Sequence, residues 1–264
     1  NFTLTFTASA ATSYFGSLTV GTRTYTLVGT GYSSPLPTPV LTFDSTAISS
    51  GQQHTLTITL PTPSPVTASG TLTLVFKPAV SSIADDTAVQ FVATSKRVAT
   101  FTVNAGDTAV KINGQPNIVF STGTTAGSIT FQVDAGIYGT VSDPTTSLNI
   151  GPTPVAIASA SATRRANDLD VTVSGFDNTY TMGAMSFTFF DRSGGVIAAG
   201  ISADFSSNFQ TFFQGQTSSG PTSGSSFLMR VTFPVTGDAT QIGAMEATLN
   251  NAAGAVKTQR LNFP

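Results

Sequence analysis

The chain is 264 residues long; 40% of its residues are hydrophobic, enough for a packed core, but only 9% are charged, against about 25% in an ordinary soluble domain. Cys and Trp are absent and Glu occurs once, at Glu246, which excludes disulfides, thiolate metal sites and a Cys nucleophile and leaves little of the Glu, Lys and Arg that coat exposed helices. The formal charge of −2 gives no general pull toward nucleic acid or anionic lipid, and no apolar run reaches the 18 residues of a membrane span.

In chain order, the dominant period is two. Phe2, Leu4 and Phe6 alternate with Thr3, Thr5 and Thr7, and strands are expected over 2–7, 15–20 and 23–28. Alternation places apolar side chains on one sheet face and β-branched threonine on the other. About three strands are thin for an independent core. Residues 1–34 therefore read as part of a domain whose remaining strands come from upstream or from another chain, since an exposed apolar edge is a liability.

Pro37-Thr38-Pro39-Val40 then reads as a short, stiff linker. Beyond it, Leu56, Ile58 and Leu60, then Leu72, Leu74 and Phe76, repeat the alternation with threonine between them. Turn signals such as Asn104-Ala105-Gly106-Asp107 and Asn113-Gly114 recur every eight to twelve residues or so, the rhythm of a sandwich or barrel. The Pro-Thr-Pro-Val quartet returns at 152–155, so the expected blocks are 1–34, 35–151 and 152–264, the last two of immunoglobulin-domain size. In the last block Val171 and Val173 alternate around Thr172. Phe205, Phe209, Phe212 and Phe213 break the rule: their offsets fit a short helix or an irregular crossover.

The first block resembles the closing strands of an ASPM-SPD-2-Hydin (ASH) domain, as found in bacterial surface proteins of the choice-of-anchor D type. The residues that carry the resemblance are Phe2-Thr-Leu-Thr-Phe6, Gly16-Ser-Leu-Thr-Val20 and Tyr25-Thr-Leu-Val-Gly-Thr-Gly31, with Ala8 where the family carries a Pro. The last block resembles repeats of large secreted bacterial proteins through Val173-Ser-Gly-Phe176, Phe187-Thr-Phe189, Phe205, Phe209 and Phe212, Gly224-Ser-Ser-Phe227, Phe233-Pro-Val-Thr-Gly-Asp238 and Ala247-Thr-Leu-Asn-Asn251. Both resemblances imply immunoglobulin-like sandwiches acting as a scaffold or adhesion module outside the cell, with no catalytic residues.

Candidate chemistry is sparse. His54 is the only histidine and makes no triad or multi-histidine site. Asp85-Asp86 and Asp168-Leu169-Asp170 could offer oxygens to calcium, but they read better as turns. Glu246 has no placed partner for glycoside hydrolysis. A Lys–Asn crosslink could draw on Lys77, Lys96, Lys111 or Lys257, with Glu246 or an Asp as its acid. The 11 phenylalanines from Phe176 to Phe263 read as core, and the basic pairs Lys96-Arg97 and Arg164-Arg165 are too isolated to bind nucleic acid. No phosphate-binding glycine motif is present. Asn1-Phe2-Thr3 matches the N-glycosylation acceptor pattern.

The expected fold is all-β: tandem immunoglobulin-like β-sandwiches preceded by a partial N-terminal one. Zero Cys, abundant Thr, Ser, Gly and Asn, and scarce Lys and Glu suit an exported bacterial surface protein. With no signal-peptide pattern at Asn1, the sequence reads as a mature or cleaved piece of a longer chain. The expected function is a non-enzymatic structural subunit of an extracellular fibre, surface layer or adhesive stalk. It would self-associate head to tail through an assembly strand carrying Phe2, Leu4 and Phe6. The alternative is a carbohydrate- or cell-surface-binding accessory module of a larger secreted protein. No cofactor, nucleic acid or membrane span is expected, and surface polysaccharide is a candidate partner.

Overall fold

The structure is a computed structural model and describes residues 3–6, 12–31, 36–136, 145–218 and 224–264, with backbone alone for 198–199 and 214–218. It is all-β, as the period of two requires, with antiparallel sheets throughout and one α-helix among the described residues.

β1 (Ser13–Val20) and β2 (Arg23–Thr30) form a two-stranded antiparallel hairpin. Gly21 at its turn takes φ 63°, the left-handed backbone a tight hairpin loop needs. Tyr14, Leu18, Tyr25 and Leu27 share one face by register, while Phe15 stands opposite Val28 on the other. Phe15 and Val28 are 76% and 67% exposed.

No strand forms over Thr3–Phe6, the described part of the stretch expected as a strand over 2–7. Thr3–Phe6 has no regular secondary structure, Leu4 and Phe6 stay about half exposed, and Phe2 lies outside the described residues. The ring of Phe6 instead lies over Gly29, where a Cβ would come within 2.9 Å of it, and meets Tyr14 edge-on at 5.3 Å. The reason is physical: among the described residues β1 and β2 pair only with each other and no second layer covers their sheet, and an added edge strand gains little there.

Nine strands follow among the described residues up to Ile150. β3 (Val40–Phe43), β4 (Gln53–Thr59), β9 (Ile118–Thr122) and β6 (Val89–Phe91) form one sheet in that order. β11 (Thr145–Ile150), β10 (Gly127–Asp134), β5 (Ala68–Pro78), β7 (Val98–Val103) and β8 (Lys111–Ile112) form the other. Leu56 and Ile58 of β4, Leu72 and Leu74 of β5 and Ile129 of β10 are buried in a single cluster, while the threonines between them point outward. Phe120 of β9 meets Phe131 of β10 edge-on at 4.8 Å, joining the inner faces of the two sheets. Burying each such side chain stabilises the fold by roughly 1.5–3 kcal/mol.

A second cluster runs from Val155 to Phe263. It is enclosed by the sheet of β12 (Ala156–Arg164), β13 (Asp168–Phe176) and β16 (Ser226–Pro234), and by the sheet of β15 (Val196–Asp204), β14 (Ala184–Asp191), β17 (Ile242–Asn251) and β18 (Gly254–Lys257), with β19 (Leu261–Asn262) also on β17. The phenylalanine run becomes α1 (Ser206–Ser218). Asp204 accepts from the Ser206 backbone N–H at 2.9 Å, an Asx turn at the helix entrance. Phe209 and Phe213, four apart, drop into the core beside Phe227. α1 has no acid in its first turn and no base in its last, so this apolar face, not dipole compensation, holds it in place.

Candidate functional site: a polar junction between the two β-units

The most highly organised polar cluster lies where the two hydrophobic clusters meet, and sequence reasoning missed it. Asp86, in the loop before β6, is fully buried. Its Oδ1 accepts from the Ala88 N–H at 3.0 Å, and its Oδ2 from the Thr124 N–H at 2.8 Å, the Thr124 hydroxyl at 3.1 Å and the Thr125 hydroxyl at 2.7 Å. A buried carboxylate is tolerated only when its lone pairs are filled in this way. Arg97 braces the loop from behind: it donates to the Val89 and Asp86 carbonyls at 2.8 and 2.6 Å and pairs with Asp85 at 2.7 Å.

From Asp86 the network crosses to the second unit. Thr125 spends its proton on Asp86, so the Tyr180 hydroxyl donates to Thr125 across 2.8 Å. Ser225 donates its N–H to the Thr124 hydroxyl and its own hydroxyl to the Thr124 carbonyl, at 2.8 and 2.7 Å. The Ala126 N–H donates to the Asn178 carbonyl at 3.0 Å. Gly224 at φ 66° allows the approach: a Cβ there would lie 2.1 Å from the Thr124 hydroxyl and 3.0 Å from Asp86. Tyr180 also sits at positive φ, 57°, a costly conformation for an aromatic residue. Its ring is held edge-on against Phe213 at 4.9 Å. Burial, together with the negative charge of Asp86 and Asp177, pushes the Tyr180 phenol up to about 12.

A second buried acid, Asp177, shapes the loop that carries Tyr180. It accepts from the Thr179, Thr181 and Met182 N–H groups, the Thr179 hydroxyl and the Asn251 amide. The proline-rich linker is clamped between the units. Asn178 donates to the Gly151 carbonyl and to Ser50 at 3.0 Å each, and accepts from the Thr153 N–H, while Asn251 donates to the Thr153 carbonyl.

The residues singled out from the sequence meet in separate local pairs and do not converge on one site. His54 bonds to Asp44 and Gln52, at 3.0 Å each. Glu246 lies on β17 with Lys257 and Arg260, both at 3.3 Å. Lys257 is 59% exposed. Asp170 pairs with Arg165 and Arg230 and accepts from the Thr232 hydroxyl. The Thr232 and Arg230 hydrogen bonds, helped by the charge of Arg165, hold its carboxyl below the usual range despite burial. Arg164 donates to the Pro264 and Ile242 carbonyls. Among the described residues no three acids, histidines or cysteines converge as metal ligands. Phe6 lies on the hairpin, and neither Leu4 nor Phe6 takes part in the junction's hydrogen bonds.

In the sequence, Asp86-Asp177-Tyr180 carries no motif. The one available signal was two acids beside Thr-rich turns, Thr124-Thr125 and Thr179, which supply several donors at once. No protein-family model matches this chain, and no curated protein matches it.

Proposed function

We propose that the chain is a non-enzymatic structural element of an extracellular bacterial fibre, surface layer or adhesive stalk, built from immunoglobulin-like sandwiches and self-associating through its N-terminal segment. The observation that carries this reading is the junction. A flexible tether would be enough to connect two independent binding modules, whereas here a fully buried acid, two threonines, a tyrosine and a clamped linker tie one β-unit to the next. Such a tie suits a part that transmits force or sets spacing. The hairpin, with its exposed apolar side chains and no second layer among the described residues, suits association. Negative-stain microscopy tests the reading. Strings or fibres are expected from the full chain, and their loss on deletion of residues 1–7. Single compact particles at all concentrations would overturn it, and fibres persisting after the deletion would remove the N-terminal segment as the assembly strand.

The accessory-module reading draws on exposed Phe15 and Tyr25 of the hairpin, aromatic surface of the kind that stacks on sugars or a partner. A glycan array decides it: a saturable signal lost in Tyr25→Ala favours binding over scaffolding.

A further inference from the structure

β16 is the outer strand of its three-stranded sheet, paired among the described residues with β13 alone. Every second backbone N–H and C=O on its other side is therefore left without a sheet partner. Beside it runs an apolar groove of about 270 Å³, lined by Phe205, Phe209 and Phe212 from the α1 side and by Phe227, Leu228 and Met229 from β16. Successive side chains of a strand point to opposite faces. A groove that touches Phe227, Leu228 and Met229 in turn lies along the edge of the strand, not on either face. Leu228 is 71% exposed and Phe212 38%, so apolar side chains reach the rim, where Asn208 and Arg230 also line the groove.

The same chain carries a segment of alternating apolar residues that has no strand partner among the described residues. Thr3–Phe6 belongs to the alternating stretch Phe2-Thr-Leu-Thr-Phe-Thr7, uncharged throughout, yet unpaired and with Leu4 and Phe6 half exposed. Six residues of strand span about 20 Å, and the five from Phe227 to Val231 along the groove about 17 Å, so the lengths match. The groove volume is that of roughly nine liquid waters, which apolar side chains on alternate positions of a strand would displace. In its own chain the segment rests on the β1–β2 hairpin through Phe6 and does not fill the groove.

We infer that the edge of β16 is an acceptor site for strand addition, and that its occupant is the N-terminal segment of a second copy of this chain. Main-chain hydrogen bonds to β16 supply affinity, and Leu4 with its alternate neighbours enters the Phe-lined groove. Donor and acceptor lie on different parts of the chain, so the contact is head to tail and repeats without closing. This inference rests on the self-association proposed above and names its second surface.

Sedimentation velocity over a concentration series tests it on the full chain. Leu228→Lys and Phe212→Gln change exposed positions, and unchanged circular dichroism and melting temperature confirm that each variant folds. The expected result is that wild type forms a ladder of oligomers, that each groove variant and the 1–7 deletion alone shift association at least tenfold toward monomer, and that mixing Leu228→Lys, which keeps its donor strand, with the deletion variant, which keeps its acceptor groove, gives a heterodimer and nothing longer. Mixing the deletion variant with wild type should instead shorten the ladder, because it accepts a strand but cannot donate one. If wild type associates and both groove variants do so equally well, the acceptor site is wrong while self-association stands. If the groove variants fail but the deletion does not, another segment occupies the groove and the assignment of the donor is overturned. If wild type is monomeric throughout, self-association falls and the acceptor with it.

Discussion

At the scale of single residues, stability concentrates in two buried acids that the composition does not advertise. Asp86 fills both its oxygens with donors from Ala88, Thr124 and Thr125. Truncating it strands two backbone N–H groups in the interior, at about 1–3 kcal/mol each. Asp86→Ala is therefore expected to cost about 2–5 kcal/mol in urea unfolding, whereas a change within about 0.5 kcal/mol would show that water replaces the carboxylate without penalty. Tyr180 gives a pH signature. Its phenol is raised to about 12 from 10.0, so the unfolded chain loses this proton first. The contribution is complete below about pH 10 and declines as pH rises toward 12. Melting temperature against pH should fall in that window, and Tyr180→Phe should flatten the fall. Asp170 works in the opposite sense: its carboxyl is depressed, so its stabilisation holds above the ordinary carboxylate range and is lost on acidification through the folded value. Asp170→Asn should lose the most stability near neutral pH and approach wild type in acid, as read from paired melts. His54 and Glu246, the rarities of the sequence, turned out to serve locally, His54 as a hydrogen-bond partner of Asp44 and Gln52 and Glu246 as an ion-pair partner of Lys257 and Arg260. Rarity is a property of composition, whereas burial is a property of three-dimensional packing, and Asp85-Asp86 reads as an ordinary loop until Thr124 and Thr125 are brought beside it.

At the scale of elements, the period of two was legible because it is local. β4, β5 and β13 follow from Leu56-Ile58, Leu72-Leu74-Phe76 and Val171-Val173 with threonine between, and α1 from the offsets of Phe205, Phe209, Phe212 and Phe213. The Thr3–Phe6 stretch carries the same pattern and is not a strand, because alternation specifies which face an extended chain presents but cannot provide the neighbour to pair with. The face of α1 makes a direct prediction. Phe209 is 8% exposed and packs on Phe213 and Phe227, so Phe209→Ala should destabilise the second unit by about 3–5 kcal/mol, measured by denaturant unfolding. The adjacent exposed Phe212→Ala should cost much less. Equal losses would mean that the helix does not seat as described. Strand pairing between β16 and β13 has no counterpart in the sequence pattern, since the open side of an edge strand reads like its paired side.

At the scale of the whole molecule, the class of fold follows from threonine-faced alternation, scarce charge and the near absence of Glu. The recurrence of Pro-Thr-Pro-Val marks 152–155, where the linker lies between the two hydrophobic clusters. What composition could not convey is that this linker is clamped by Asn178 and Asn251 and flanked by a buried polar junction, because those contacts join residues as far apart as Ser50 and Asn178. The absence of cysteine offers a clean probe of that junction. Spin labels at Lys77→Cys and Thr163→Cys, both exposed strand positions in different β-units, would be the only thiol attachments in the chain. Double electron–electron resonance between them should give one narrow distance distribution, which broadens when Asp86→Ala is added. A distribution already broad with Asp86 in place would contradict the claim that the two units are locked together.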